Sequence, residues 1–293
     1  MRRTLTLSLL CIATGLASGC SPDKIVATTA IPTAGVRFIN AVPDTAGALG
    51  LDFRFVDLPE SNAQFRITFR NNPVTTGGVT ASTQIEYKGA KAGQRHFVIF
   101  FDDPDQTIAS SKLKDSTLTL EEGKNYTVIL WGSARAGATP GLKLTVIPEV
   151  VPDPGTQVAL RVINATGAAI DVRQYAQGGT APASPTWASV APLSASSFVT
   201  VAPGPIMYNV RSAGSATNLF TDLLALQGTP ASSTAGAGGK LDIQPLPGTT
   251  IAGSAITLVV FPASTTGART PQTAPFLVPA GSFTWDRRPP AGF

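Results

Sequence analysis

Polar and apolar residues alternate along this chain in short segments that are typical of β-strands. Residues 65–69 (FRITF) and 142–146 (LKLTV) alternate with period two, which places their apolar side chains on one face. Residues 95–101 and 126–131 are almost continuously apolar, as expected for central strands covered on both faces. Many short strands at this spacing predict an all-β chain, built as a sandwich or a barrel.

Two six-residue runs indicate that the chain repeats itself. Residues 36–41 (VRFINA) and 160–165 (LRVINA) share Arg, Ile, Asn and Ala at the same positions. An apolar-Asp-apolar-Arg tetrad follows each run, at residues 51–54 and 170–173. The pattern predicts two copies of one β-rich module.

One segment of the second copy fits two structures. Residues 219–226 place leucines and a phenylalanine at helical spacing, and Gly228 follows them. The internal alignment instead sets the end of this segment opposite residues 117–123, which precede a strand. We follow the repeat and predict no helix there.

Three further apolar runs complete the second copy. Residues 256–261 correspond to residues 126–131 of the first copy. Residues 276–278 and 283–285 predict the closing strands, and a polar tail begins at Asp286.

A proline-rich stretch separates the two copies. Residues 148–155 (PEVVPDPG) contain three prolines, which favour an extended, semi-rigid spacer. We therefore expect the two units to lie end to end. The predicted architecture is two tandem immunoglobulin-like β-sandwich domains over residues 35–148 and 157–288, joined by a linker over residues 149–156.

The amino terminus has the build of a bacterial export signal. A positive start, an apolar stretch and small residues before Cys20 predict a signal peptide over residues 1–19. Residues 16–20 (LASGC) resemble the lipobox, in which the cysteine is acylated and anchors the protein to a membrane. That resemblance makes Cys20 the lipidation site and residues 20–34 a lipidated tether. Ser21, where an aspartate would retain the protein at the inner membrane, favours the outer membrane, with a periplasmic or surface-exposed orientation.

The opening motif resembles a bacterial family called domain of unknown function 4397. The resemblance rests on residues 37–44 (RFINAVPD), on Asp52 after an apolar residue, and on residues 126–129 (YTVI). It covers residues 36–147, and the second copy is looser, with Thr-Gly at 166–167 in place of Pro-Asp. The resemblance implies exported, often lipidated, all-β sandwich repeats, and it carries over no catalytic residue.

The charge balance narrows the range of partners. Of the 22 Lys and Arg, Arg2 and Arg3 leave with the signal peptide, so 20 remain against 18 Asp and Glu. No basic cluster is present, which argues against nucleic-acid binding. From residue 157 onward the chain has only seven Lys and Arg and four Asp. This charge-poor, hydroxyl-rich half favours a neutral partner such as a polysaccharide or another envelope protein.

Few residue types here point to catalysis. His96 is the single histidine and lies in a predicted strand, where we expect a buried or rim position rather than a catalytic base. Cys11 leaves with the signal, and acylation would occupy Cys20, so no thiol remains for a disulfide, a metal or a nucleophile. We predict no cofactor, because Thr234 and Leu241 break the only likeness to a phosphate-binding loop.

Other side chains are candidates for binding. Asp102, Asp103 and Asp105 are the best Ca²⁺ candidates, because clustered carboxylates supply hard oxygen ligands. A solvated hairpin turn explains them better, since the EF-hand spacing and its Gly and Glu are absent, and we predict no metal site. Trp187 lies in a Pro- and Ser-rich stretch and is the tryptophan we single out for sugar stacking; Trp131 is expected to pack.

The Arg and Asn of the repeated run could line a groove, but their recurrence fits a structural role. We expect the Asn to cap the turn after the first strand.

Two functions remain open at this point. The first is a non-enzymatic, lipid-anchored cell-envelope protein that acts as a binding or structural module. The alternative is a hydrolase of envelope polymers that uses a carboxylate pair such as Asp102 and Asp105 as acid and base.

Overall fold

The computed structural model describes residues 31–44, 51–57, 87–101, 105–139, 141–231, 244–266 and 272–288. Residues from Thr33 onward form one compact unit. In the described ranges the chain is all-β, as predicted, and its helical segments are single turns, α1 (Gln106–Ala109) and a 3-10 turn (Ala274–Phe276). No helix within those ranges is long and apolar enough to span a membrane.

Sixteen strands occur in the described ranges. In chain order they are β1 (Thr33–Ala41), β2 (Leu51–Phe55), β3 (Lys88–Lys91), β4 (Gly93–Phe101), β5 (Lys112–Leu120), β6 (Asn125–Trp131), β7 (Lys143–Glu149), β8 (Val158–Asn164), β9 (Ile170–Ala176), β10 (Trp187–Val190), β11 (Ser194–Ala195), β12 (Val199–Val201), β13 (Ile206–Ser212), β14 (Asn218–Leu224), β15 (Ala255–Phe261) and β16 (Ala280–Arg287).

The strands form four sheets, which we number in the order in which they pack. Sheet I has the order β2-β4-β5, and sheet II has the order β3-β1-β6-β7. Sheet III has the order β11-β8-β15-β16, with β12 also paired to β8, and sheet IV has the order β10-β9-β13-β14.

Sheets I and II pack face to face around an aromatic core. Phe38 of β1 stacks on Phe53 of β2 and on Phe97 of β4, with ring centroids 5.1 and 4.9 Å apart. Val36 and Val128 extend the same buried cluster along sheet II. The apolar alternation of these strands thus forms one sandwich, since each sheet turns its apolar face inward.

Sheets III and IV form a second core in the same way. Trp187 of β10 stacks on Tyr208 of β13, and Phe283 of β16 packs 5.6 Å from the same ring. Every residue of β8 and β15 is buried. These two strands are therefore covered on both faces, and sheet III must contact a second layer besides sheet IV.

That second layer is sheet II, and the contact between them is apolar. Successive residues of a strand point to opposite faces, so β1 sends Phe38 to the first core and Ile39 to the other side. The shared cluster consists of Ile39, Ala41, Ile129, Ile163, Ala165, Val259 and Phe261. The expectation that the two units lie end to end is wrong, because a sheet with two apolar faces needs a neighbour on each.

The two halves of the compact unit have corresponding strand orders. Sheets I and IV share the pattern β2-β4-β5 and β9-β13-β14, and sheets II and III share β1-β6-β7 and β8-β15-β16. In each half the first strand runs parallel to its partner, β1 to β6 and β8 to β15. All other pairs between the named strands are antiparallel.

Most of the predicted strands that fall in the described ranges are present, and one is not. Strand β14 occupies the segment with helical spacing, so the prediction from the repeat is confirmed. Residues 276–278 are not a strand, because they continue from the Ala274–Phe276 turn. Pro275 stands at the start of that turn, where its fixed φ is favourable and its missing N–H costs no ladder hydrogen bond. Residues 65–69 lie outside the described residues.

Candidate functional site

Four charged side chains meet between sheets II and III. Arg37 on β1 and Arg161 on β8 face Glu149 at the end of β7 and Asp286 on β16. Arg37 lies 3.3 Å from Glu149 and 2.7 Å from Asp286. Arg161 lies 2.5 Å from Glu149 and 2.8 Å from Asp286. We call these four residues the charged cluster; each of its cations contacts both of its anions.

The charged cluster is enclosed by the packed sheets. The side chains of Arg37, Glu149 and Asp286 have no exposed surface, and that of Arg161 is 4% exposed. A single ion in such a place loses its hydration at a cost of several kcal/mol, on the order of a domain's whole stability. Two positive and two negative charges cancel here, so the cluster is tolerated as a set.

A threonine on the neighbouring strand completes each half of the charged cluster. Arg37 Nε donates to Thr127 Oγ1 at 2.7 Å, and Arg161 Nε donates to Thr257 Oγ1 at 2.8 Å. Each threonine in turn donates to the carboxylate of its own half. The register aligns Arg37 with Thr127 and Arg161 with Thr257. The arrangement is therefore pseudo-symmetric, and the repeated arginine of the sequence occupies the same place in both halves.

Aromatic rings cover the two guanidinium groups. The Arg37 guanidinium lies 4.5 Å from the centre of the Tyr87 ring, and that of Arg161 lies 4.6 Å from the Phe198 ring. The Tyr87 hydroxyl donates to Asp286 at 3.4 Å. Burial raises the pKa of Tyr87 even though Arg37 opposes the shift. Burial alone would lower the pKa of Arg161, but the neighbouring carboxylates raise it, so this arginine stays charged.

The repeated asparagine caps a turn in both halves, as predicted. Asn40 Oδ1 accepts a hydrogen bond from the N–H of Val42 at 3.1 Å, and Asn164 Oδ1 accepts one from the N–H of Thr166 at 2.9 Å. Asn164 also donates to the carbonyl of Val190 at 2.9 Å. The asparagine is thus a structural residue that ends the first strand of each half.

The aspartate that follows the first strand holds a distant loop. Asp44 accepts hydrogen bonds from the N–H groups of Ala134 and Arg135 at 2.9 and 3.2 Å, and from the Ser133 hydroxyl. The loop after β6 is therefore fixed to the turn after β1. This contact gives the aspartate of the opening motif a structural role.

The aspartate of the second tetrad has a similar role. Asp171 accepts hydrogen bonds from the N–H groups of Ser189 at 2.8 Å and Gly214 at 3.0 Å. The bond from Ser189, together with that from Gly214, holds the pKa of Asp171 below its usual value despite burial. In the first tetrad, Asp52 instead accepts from Arg54 on its own strand at 2.6 Å.

The single histidine lies on the outer face of sheet I. His96 is in β4, as predicted, but its side chain is 49% exposed and bonds Asp115 Oδ1 at 2.7 Å. Hydrogen bonds from His96 and Lys112 lower the pKa of Asp115. The pair is an exposed cross-strand contact of the kind common on sheet surfaces.

The aspartate-rich turn is described only in part. Asp105 accepts hydrogen bonds from the N–H and hydroxyl of Thr107 at 2.9 and 2.7 Å, which caps the helical turn α1. Asp102 and Asp103 lie outside the described residues. Among the residues that are described, no group of three His, Cys, Asp or Glu has the arrangement of a metal site.

Trp187 belongs to the second core rather than to an exposed loop. It begins strand β10, is 6% exposed, and donates through Nε1 to the carbonyl of Ser197 at 3.0 Å. Its ring lies 6.3 Å from that of Tyr208 within the buried cluster, so it presents no open face to a sugar. The candidate sugar-stacking role of Trp187 is therefore corrected to core packing. Trp131, which was expected to pack, borders the shared apolar layer.

Sequence comparison places part of this all-β chain in a known class. A DUF4397 domain, a domain of unknown function, is found at residues 34–175. The matched range begins in β1 and ends in β9, so it contains Arg37, Asp44, Glu149 and Arg161. No curated protein matches the chain.

The charged cluster was only half visible in the sequence. Both arginines stand out in the repeated run, whereas Glu149 reads as part of the proline-rich linker and Asp286 as the start of the polar tail. Each carboxylate lies at the end of the last strand of its half. Aligning the end of β7 with the end of β16 in the sequence would have shown that Glu149 and Asp286 occupy equivalent positions in the two halves. Cys20, the predicted lipidation site, lies outside the described residues.

Proposed function

We propose that the protein is a non-enzymatic, lipid-anchored protein of the cell envelope, whose two β-sandwiches act together as one binding or structural module. Acylated Cys20 would be its contact with the membrane, and Ser21 favours the outer membrane. Residues 20–34 would be the tether, and its last two residues already belong to β1, which begins at Thr33. The proposal includes no cofactor and no metal.

The proposal rests on the structural role that the repeated arginine and asparagine have in both halves. Arg37 and Arg161 are buried in the charged cluster, and Asn40 and Asn164 cap turns. A catalytic motif needs groups that can reach a substrate. The arginines instead connect sheet II to sheet III, and the asparagines fix the turn after the first strand of each half. These roles support a protein that works as a rigid body.

We also infer that the second half is a diverged copy of the first, although the DUF4397 match at residues 34–175 covers the first half together with β8 and β9 of the second. Its support is the corresponding strand order and the matching pairs Arg37–Thr127 and Arg161–Thr257. The second half is poorer in charge, with seven Lys and Arg and four Asp from residue 157 onward. The charge-poor second copy then suits a neutral partner, such as a polysaccharide or another envelope protein.

Metabolic labelling tests the anchor. Cells producing the full chain are fed an alkyne analogue of palmitate, and wild type is compared with Cys20→Ala and with Cys11→Ala as the matched control. We expect label in wild type and in Cys11→Ala, and none in Cys20→Ala, which should leave the membrane fraction or accumulate as precursor. Label that persists in Cys20→Ala, or wild type without label, would refute the anchor.

Capture from envelope extracts tests the module. The labelled protein, solubilised in detergent, is immobilised and exposed to polysaccharide and protein fractions of the envelope. Retention of an envelope component by the wild-type chain is the expected result. Turnover of an envelope polymer by the purified protein would contradict the non-enzymatic assignment.

A further inference from the structure

The outer face of sheet IV carries an ordered array of side chains. Core residues such as Val172 and Tyr208 point towards sheet III, so the alternate positions of β9 and β13 point away from it. The register aligns Tyr175 with Met207, and Met207 with Leu224. Tyr175 and Met207 are half-buried and Leu224 is 38% exposed. These three residues form an apolar row across three strands.

Polar residues occupy the rows next to the apolar one. The register aligns Arg173 with Asn209, and Arg211 with both Asp171 and Asn218. Arg211 Nε donates to Asn218 Oδ1 at 2.8 Å, and Asn209 donates to the same oxygen at 3.3 Å. We call these rows, together with the apolar row and Asp222, the sheet IV array.

Tyr175 lies across the array. Its hydroxyl donates to Asp222 Oδ1 at 2.5 Å, although Asp222 is on β14 and β13 lies between. Neighbouring strands are about 4.8 Å apart, so the side chain must lean over β13 to span nearly 10 Å. A ring in that position turns one face outward. Asp222 has a φ of 55°, a left-handed conformation that Asp tolerates better than most residues.

Two atoms of the array lack partners. Arg173 and Asn209 are only 6% and 4% exposed, yet Arg173 Nη1 and Asn209 Oδ1 have no hydrogen-bond partner within the described part of the chain. The rest of the Arg173 guanidinium donates to the carbonyls of Pro182 and Ala183. A buried polar atom left without a partner costs about 1–3 kcal/mol. The Arg173 atom is a donor and the Asn209 atom is an acceptor, and the two residues are aligned across β9 and β13.

We propose that the sheet IV array binds a neutral polysaccharide. A sugar hydroxyl both donates and accepts, which matches the half-buried guanidinium of Arg211 beside the exposed side-chain amide of Asn218. The apolar row matches the C–H face of a sugar ring, and the Tyr175 ring supplies the flat surface. Two arginines and two aspartates balance in the array, so it does not select a charged polymer. This proposal rests on the proposed function, because it names the partner class of the envelope module.

Calorimetric titration tests the proposal on the full-length protein in detergent micelles. The probes are the hexasaccharides of α-1,4-linked and β-1,4-linked glucose, with hexagalacturonate as the charged comparison. We expect a neutral hexasaccharide to bind. Arg211→Ala should weaken binding about tenfold, the effect of losing one or two hydrogen bonds to the ligand, and Tyr175→Ala should weaken it about as much through loss of the ring face. The matched control is His96→Ala on the outer face of sheet I, which should bind as wild type does.

Three results would overturn the polysaccharide site: no binding of either neutral probe, tighter binding of hexagalacturonate, or unchanged binding in Arg211→Ala. If Tyr175→Ala fails to fold, Tyr175→Phe keeps the ring, loses the bond to Asp222, and should weaken binding less than Arg211→Ala does. Protein that is lipidated at Cys20 and binds no probe would leave the proposed function standing and reject only this site.

Discussion

Removal of one carboxylate from the charged cluster gives the sharpest test of how the sheets are held together. In Glu149→Gln the side chain keeps its shape and loses its charge, while Arg37 and Arg161 remain 3.3 and 2.5 Å from that position. The buried set then carries one uncompensated positive charge. Breaking a buried ion pair in this way typically costs about 3–5 kcal/mol.

Urea denaturation of wild type and Glu149→Gln measures this loss as a lower midpoint with an unchanged slope. For a protein of this size the same loss corresponds to a thermal midpoint lower by roughly 6–20 °C. The double variant Glu149→Gln with Arg161→Gln restores neutrality and should recover about 1–3 kcal/mol relative to additivity.

The control for this prediction is a surface ion pair of the same type. Arg287 lies 2.8 Å from Asp153, and both side chains are substantially exposed. Arg287→Gln should change stability by less than about 0.5 kcal/mol, since water replaces the lost contact. If Glu149→Gln is as stable as Arg287→Gln, the charged cluster does not stabilise the contact between sheets II and III, and the reasoning fails.

Two further predictions concern the second half. Asp171 has a folded-state pKa below its unfolded value, so its stabilisation is present above the unfolded pKa, near 4, and is lost as the pH falls through the folded one. The urea midpoint of Asp171→Asn should therefore lie below wild type at pH 7 and approach it near pH 3; a constant gap would contradict this. Gly281→Ala places a Cβ 2.6 Å from Leu223 and should cost about 1–3 kcal/mol by overpacking, whereas Gly167→Ala, with nothing within 4 Å, should not. Equal thermal midpoints for the two alanine variants would reject the packing argument.

The strands could be predicted because their signal is local. Apolar alternation and continuous apolar runs recur within a few residues, and β4, β6 and β15 appear where these patterns predicted them. The asparagine cap was also predictable, since the group that accepts and the N–H that donates are two residues apart. The sequence pattern within a single segment is therefore enough to predict the strands and the asparagine cap.

The contacts between segments could not be predicted in the same way. Arg37 in the middle of a strand resembles a solvent-facing residue, and its partner Glu149 is 112 residues away. Trp187 has flanking residues typical of a loop, and its burial depends on Tyr208, which no local pattern associates with it. The linker prolines predict extended chain, but they do not determine which faces meet across it.

The parallel pairing of β1 with β6 has a consequence for the rate at which the chain folds. Arg37 and Thr127 are 90 residues apart, and Arg37 and Asp286 are 249 apart. Each of these contacts closes a long loop, and chains dominated by such contacts fold in milliseconds to seconds rather than microseconds. Asp286 on β16 is 249 residues from Arg37 and 125 from Arg161, so both guanidinium groups gain their second counter-ion only when this distant strand has paired. Until β16 pairs, Arg37 and Arg161 share a single carboxylate, Glu149, so the burial of this pair of arginines before that step is disfavoured by one unbalanced positive charge.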